Sequence, residues 1–138
     1  MTDHNGSTER LVLRLTHTAV AGGRARRLIE ERLGSLLARE RLEDVKLMTD
    51  ELVSNAVRHA QPDADGTVGV RVDVLRDRIR VAVTDGSPQF EWTTRASAEL
   101  GGGFGLVLVD RMADRWGLSQ DGRKAVWFEV DLPAHGRR

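Results

Sequence analysis

Residues 42–60 read L-E-D-V-K-L-M-T-D-E-L-V-S-N-A-V-R-H-A, and their spacing predicts one helix. Val45, Met48, Leu52, Ala56 and Ala60 recur every three or four positions and form an apolar stripe. Glu51 and Asn55 are spaced i, i+4. At ~100° per residue their side chains point within ~40° of each other. Arg58 falls with them on one flank of the stripe. A carboxylate, an amide and a guanidinium at the edge of a buried face can meet a ligand in a cleft. The same three residues also suit an ordinary solvated helix edge. The neighbouring segments separate the two readings.

Upstream, Glu9–Thr16 alternates Leu11, Leu13 and Leu15 with partly polar neighbours and reads as a strand. Val20–Arg39 has helical spacing, with Ala25, Leu28, Ile29, Leu33, Leu36 and Leu37 on its stripe. Arg24, Arg26, Arg27 and Arg32 read as a solvated face with i, i+4 partners such as Glu30 and Glu31. Arg39–Glu43 breaks the periodicity. Downstream, Gln61–Gly66 is a turn by composition. Val68–Leu75 and Arg78–Thr84 alternate strictly and read as a hairpin joined at Arg76-Asp77. Asp85–Gly102 is long and irregular, and a loop of that length in a compact domain is usually either functional or disordered. Gly103–Arg115 is helical in spacing, and Trp116–Gln120 and Lys124–Leu132 are two further strands. Residues 1–8 and 134–138 are polar tails around one domain, 9–133. The order β-α-α-β-β-loop-α-β-β blocks the helices together and pairs the strands. It predicts an α+β two-layer sandwich, with helices on one face of a mostly antiparallel mixed sheet.

A chain of 138 residues suits one core. Its 21 basic and 21 acidic residues balance, so nothing points to a nucleic-acid partner. Without cysteine there is no disulfide, thiolate chemistry or Cys-ligated metal. Met1–Arg10 has no apolar signal core, and no apolar run approaches the ~20 residues of a membrane span. A soluble, cytoplasmic protein is expected. His17, His59 and His135 lack zinc-ligand spacing. Trp116 and Trp127 are expected in the core and Trp92 in the exposed loop.

Two further features bear on the helix. Asp85 ends a strand, where side chains emerge at a cleft mouth. Gly101-Gly102-Gly103-Phe104-Gly105-Leu106 opens a helix, so bare backbone N–H groups could approach an anion there. By itself that run also fits a hinge. It lacks the spacing of a dinucleotide-binding loop, and Gly122-Arg123-Lys124-Ala125 lacks the hydroxyl of a P-loop. Asn55 can offer an amide oxygen to a hard cation such as Mg²⁺. A nearby carboxylate can take the proton of a hydroxyl attacking a phosphate.

The segments E-L-V-S-N-A-V-R-H-A (51–60), V-T-D-G-S-P (83–88), G-G-G-F-G-L-V-L-V-D (101–110) and V-W-F-E-V (126–130) occur in this order. From about Glu9 to Leu132 the chain thereby resembles the Bergerat-fold ATPases, the superfamily of gyrase, MutL and histidine kinases. Within it, R-W-G and V-W-F make the chain similar to the short RsbW-like anti-sigma-factor serine kinases. The resemblance implies ATP and Mg²⁺ as cofactors, Asn55 as the Mg²⁺ ligand and Glu51 as the base that activates a serine hydroxyl. It puts Arg58 where histidine kinases often carry a phosphate-binding Lys, and Asp85 on the adenine amino group. Gly101, Gly103 and Gly105 would border the phosphates, with Ser87 and Leu106 also against the nucleotide. It further implies a sigma factor and a STAS-type anti-anti-sigma protein as partners, and a homodimer. Histidine kinases usually carry Asn where Glu51 stands, which favours transfer to a hydroxyl or water.

The sequence departs from the pattern at Asp85-Gly86-Ser87-Pro88-Gln89, where two glycines are replaced. It also departs at Ala125, aligned with a Thr often found beside adenine. Each lost hydrogen bond is worth ~0.5–1.5 kcal/mol. Two readings therefore stand: an ATP-dependent kinase and anti-sigma factor, or a non-catalytic partner-binding module on the same fold. A detached histidine-kinase catalytic domain is a third.

Overall fold

A computed structural model describes residues 7–59, 66–84, 104–119 and 125–133. Its elements are β1 (Ser7–Thr16), α1 (Ala21–Leu33), α2 (Arg39–His59), β2 (Thr67–Leu75), β3 (Arg78–Thr84), α3 (Phe104–Met112), β4 (Arg115–Ser119) and β5 (Ala125–Asp131). The strands form one sheet in the order β1-β2-β3-β5-β4. All four described pairings are antiparallel, so this part of the sheet is not mixed as expected. The hairpin predicted at Arg76-Asp77 is present, with Val72 opposite Val81.

Alternation gives the sheet two unlike faces. Val68, Val70, Val72, Ile79, Val81, Val83, Val126, Phe128 and Val130 are all buried against the helices. From α1 come Ala25, Ile29 and Leu33, from α2 Val45, Met48, Leu52 and Ala56, and from α3 Leu106 and Val109. The stripe predicted for α2 is therefore the core stripe as far as Ala56; Ala60 lies outside the described residues.

α1 stops at Leu33, short of the predicted Arg39. Gly34 and Ser35 are poor helix formers, and the Leu36 amide donates to Leu33 O in a tight turn (2.9 Å). Leu36 is exposed, whereas Leu37 is buried. α2 starts at Arg39, earlier than its apolar stripe. Its first turn is held by charge: Arg39 donates to Glu30 (3.0 Å) and Glu43 (2.7 Å), and Lys46 to Glu30 (2.7 Å). Hydrogen bonds from Arg39 and then Lys46 hold the Glu30 carboxyl down to about 2. Glu30 thus pairs across to α2 and not along α1 as expected. The two helices run antiparallel and touch at Gly22, where a Cβ would lie 2.1 Å from Asp50 Oδ1. A side chain at this position would have to displace the Asp50 carboxylate and the Ser54 hydroxyl.

The helix-free face carries a charged row across all five strands: Arg10, Asp73, Arg80, Glu129 and Arg115 are register partners in turn. Trp127 lies on this face and not in the core. Alternation with Val126 and Phe128 sends it outward, where the Arg80 guanidinium stacks 4.1 Å from its ring centroid. Its ring also passes over Gly117, where a Cβ would lie 2.7 Å away. Trp116 is half-buried against the core edge, and its Nε1 donates to Asp110 (2.9 Å).

Glu129 is only 6% exposed. It accepts from Arg115 Nε (2.7 Å) and Arg80 Nη1 (3.1 Å). Arg78 Nε lies 3.2 Å away and makes no aligned hydrogen bond, so it contributes charge. Burial raises the Glu129 carboxyl, but the hydrogen bonds from Arg115 and Arg80 and the Arg78 charge outweigh it, and the net shift is downward. Glu129→Gln should therefore cost about 1–3 kcal/mol in urea unfolding at pH 7. A depressed carboxyl stabilises fully above its unfolded value near 4.5 and loses that contribution as pH falls through its lower folded value. The gap between wild type and variant should accordingly narrow below about pH 4.

Candidate active site

α2 positions the three polar residues of its flank. Asn55 is 5% exposed, buried at the end of the core stripe. Arg58 is exposed at the surface, and its Nη2 donates to Asn55 Oδ1 at 2.8 Å. Glu51, one turn earlier, is half-buried. Of the other acids of α2, Glu43 is committed to Arg39, Asp44 to Arg41, and Asp50 to Arg26 and Ser54, while Glu40 stands exposed in the first turn. Among the described residues Glu51 has no hydrogen-bond or ion-pair partner. A carboxylate held beside the core and kept off structural duty is available to accept a proton.

His17, in the turn after β1, adds a contact the linear sequence did not suggest. Its Nε2 lies 3.2 Å from Ala56 O, so a side chain from the β1–α1 connection fixes the backbone next to Asn55. No spacing signal links residues so far apart. The side chain of His59 lies outside the described residues.

Asp85, Ser87, Gly101 and Gly103 also lie outside the described residues. β3 ends at Thr84, immediately before Asp85. Gly105 stands in the first turn of α3. Leu106 is 4% exposed, and its side chain belongs to the core with Val109. Any contact from Leu106 to a nucleotide would thus use its backbone. Ala125, paired with Thr84, lines a shallow groove on the helix-free face. A hydroxyl there would point away from α2, so its loss does not thin the α2 side of the sheet.

No described group of three or more His, Cys, Asp or Glu side chains could hold a metal unaided. Mg²⁺ commonly takes one or two protein oxygens and completes its shell with phosphate and water. Asn55 Oδ1 fits that limited role. It has two lone pairs, and Arg58 occupies one.

The described geometry is an α+β sheet whose second helix carries a buried amide and an uncommitted carboxylate. The histidine kinase-like ATPase domain profile matches residues 13–129, and the chain belongs to that family. Among curated proteins, the serine-protein kinase RsbW of Listeria innocua is 31% identical over 88 residues, covering 54% of this chain and 56% of that protein. The serine-protein kinase RsbW of Staphylococcus aureus is 28% identical over 88 residues, covering 53% and 55%. The chain thus spans about half the length of the curated relatives it matches. A crystal structure of RsbU and RsbW domains from Mycobacterium tuberculosis superposes with a TM-score of 0.66 at 18% identity, covering 91% of this chain and 32% of that one. That likeness concerns the fold. Among the described residues no helix is long and apolar enough to cross a membrane.

Proposed function

We propose that this protein binds Mg-ATP and phosphorylates a serine or threonine of a small STAS-type anti-anti-sigma protein. In the other half of its cycle it holds a sigma factor. The observation that carries the reading is an uncommitted, half-buried Glu51 one turn from the buried Asn55 amide. The serine-kinase names of the RsbW relatives support it. Asn55 would ligate Mg²⁺, which neutralises phosphate charge when bound. Arg58 can leave Asn55 Oδ1 for a phosphate oxygen, and the backbone of α3's first turn can face the phosphates. Asp85 and Ser87 would contact the adenine side, and Gly101, Gly103 and Gly105 the phosphates. Glu51 takes the proton from the partner's hydroxyl as its oxygen bonds to the γ-phosphorus. The bond from that phosphorus to the β–γ bridging oxygen breaks, and ADP leaves with the electron pair. Action as a cytoplasmic homodimer belongs to the same proposal, and sedimentation equilibrium checks the dimer.

A thermal-shift titration with Mg-ATP tests nucleotide binding. At a hundredfold excess over Kd the folded state gains ~2.7 kcal/mol, a rise on the order of 10 °C. The Asp85–Gln89 segment, with its two missing glycines, favours the non-catalytic module instead. No shift at millimolar Mg-ATP would select that second reading.

A further inference from the structure

Arg41 sits in the first turns of α2, about three turns before Glu51. Its guanidinium reaches the far end of α3. Nη1 donates to the carbonyl of Met112 at 2.8 Å, and Nη2 to Asp114 Oδ2 at 2.9 Å. Met112 is the last residue of α3, so its carbonyl is one that the helix cannot satisfy internally. A cation at that end also complements the helix dipole.

Asp114 extends the connection to the sheet. Its Oδ2 accepts from the Asp131 amide at 2.7 Å, and its own amide donates to Glu129 O at 2.9 Å. Burial raises the Asp114 carboxyl, yet the Asp131 amide and the Arg41 guanidinium more than offset that and lower it. Side-chain exposure is 29% for Arg41 and 35% for Asp114, so the pair is partly shielded from solvent. One guanidinium therefore joins the start of α2, the end of α3 and, through Asp114, the end of β5.

α3 depends on such a tie. It has nine residues, too few for a helix to persist alone. Among its described side chains only Leu106 and Val109 are buried in the core. Met112 packs only at the edge of the core, so these few apolar anchors leave rotation and sliding to be resisted in part by polar contacts, the Arg41 pair and the Trp116–Asp110 hydrogen bond among them. Met112 and the first turn are the two ends of one nine-residue helix, so loosening the Met112 end also loosens the first turn, which follows the glycine run in sequence.

We infer that Arg41 is a positioning residue that sets the first turn of α3 against the Glu51/Asn55 flank of α2, so that nucleotide affinity depends on a side chain remote from the nucleotide. The inference rests on the nucleotide reading above. It differs in needing the clasp, which can be measured without any nucleotide.

The test uses the full chain as wild type, R41Q, R41K, D114N and D44N. Hydrogen exchange on the nucleotide-free protein reads the clasp. R41Q should speed exchange of the α3 amides roughly tenfold, as loss of one charge-assisted hydrogen bond predicts. Amides of α2 between Val45 and Ala56 should stay as protected as in wild type. D44N removes a contact that does not touch α3 (Arg41 Nη1 to Asp44, 3.1 Å), so it should match wild type. Mg-ATP titration calorimetry then reads the consequence: Kd should rise roughly tenfold for R41Q and less for R41K, which keeps the charge but not the fork. D114N, which leaves the Met112 contact in place, reports if R41Q does not fold; it should loosen α3 and weaken binding in the same direction. Unchanged α3 exchange in both R41Q and D114N overturns the clasp. Loosened α3 with unchanged Kd overturns the positioning role. If wild type itself binds no Mg-ATP, the positioning role falls with the nucleotide reading, and the exchange data still decide the clasp.

Discussion

Replacing Glu51 by Ala is expected to lower phosphorylation of a serine-bearing partner by about 10²–10⁴-fold, the usual contribution of a positioned general base. Mg-ATP affinity should change little, because the carboxylate acts on the incoming hydroxyl. Glu51→Gln keeps the shape, accepts no proton and should be as slow as the alanine variant. The fold should survive either change, since no described residue depends on Glu51 as a partner. Single-turnover transfer from labelled Mg-ATP, run beside a binding titration, separates the two effects. Wild-type labelling by Glu51→Ala would remove the base assignment and leave the fold and nucleotide claims standing.

The second large effect is expected at Asn55. Asn55→Ala removes the proposed Mg²⁺ oxygen and the acceptor of the 2.8 Å Arg58 hydrogen bond. A contact to a charged group is worth ~1.5–3 kcal/mol, so Mg-ATP affinity should fall about 10–100-fold. Melting temperature in the absence of nucleotide should drop by a few degrees, about 1 kcal/mol, for the lost Arg58 contact. The two losses differ in their response to Mg²⁺. The stability loss should be the same in EDTA, whereas the affinity loss should vanish when binding is measured without the metal. An affinity deficit that persists in EDTA would assign Asn55 to the nucleotide itself.

What could be read before the structure was what repeats. The hairpin of β2 and β3 was legible because valines alternate with polar residues along both strands. The Glu51/Asn55 flank was legible because helical spacing places it beside a stripe that had to be buried. The start of α2 was not, because Arg39, Glu40 and Arg41 before the buried Leu42 carry no apolar side chain, and Arg39 is held there by charges on Glu30 of α1 and Glu43. Trp127 lies on the opposite face from the expected core because Val126 and Phe128 on either side of it take the core face. Arg41 could not be found at all. Its partners Met112 and Asp114 lie 71 and 73 positions away, and only the folded sheet brings them near.

The charged row on the helix-free face also bears on how the chain chooses its pairing. Sliding one strand by a single place would turn its valines outward, and burial alone forbids that. A slip of two places keeps every apolar side chain inward, and burial cannot detect it. Between β1 and β2 the native alignment sets Arg10 against Asp73. Moved two places one way, Arg10 meets Arg71; moved two places the other way, Arg14 meets Arg71. Like charges directly opposite are unfavourable. The charges of this face, Arg10, Arg14, Arg71 and Asp73, thus act as a proofreading mark that disfavours the two misalignments the core would accept.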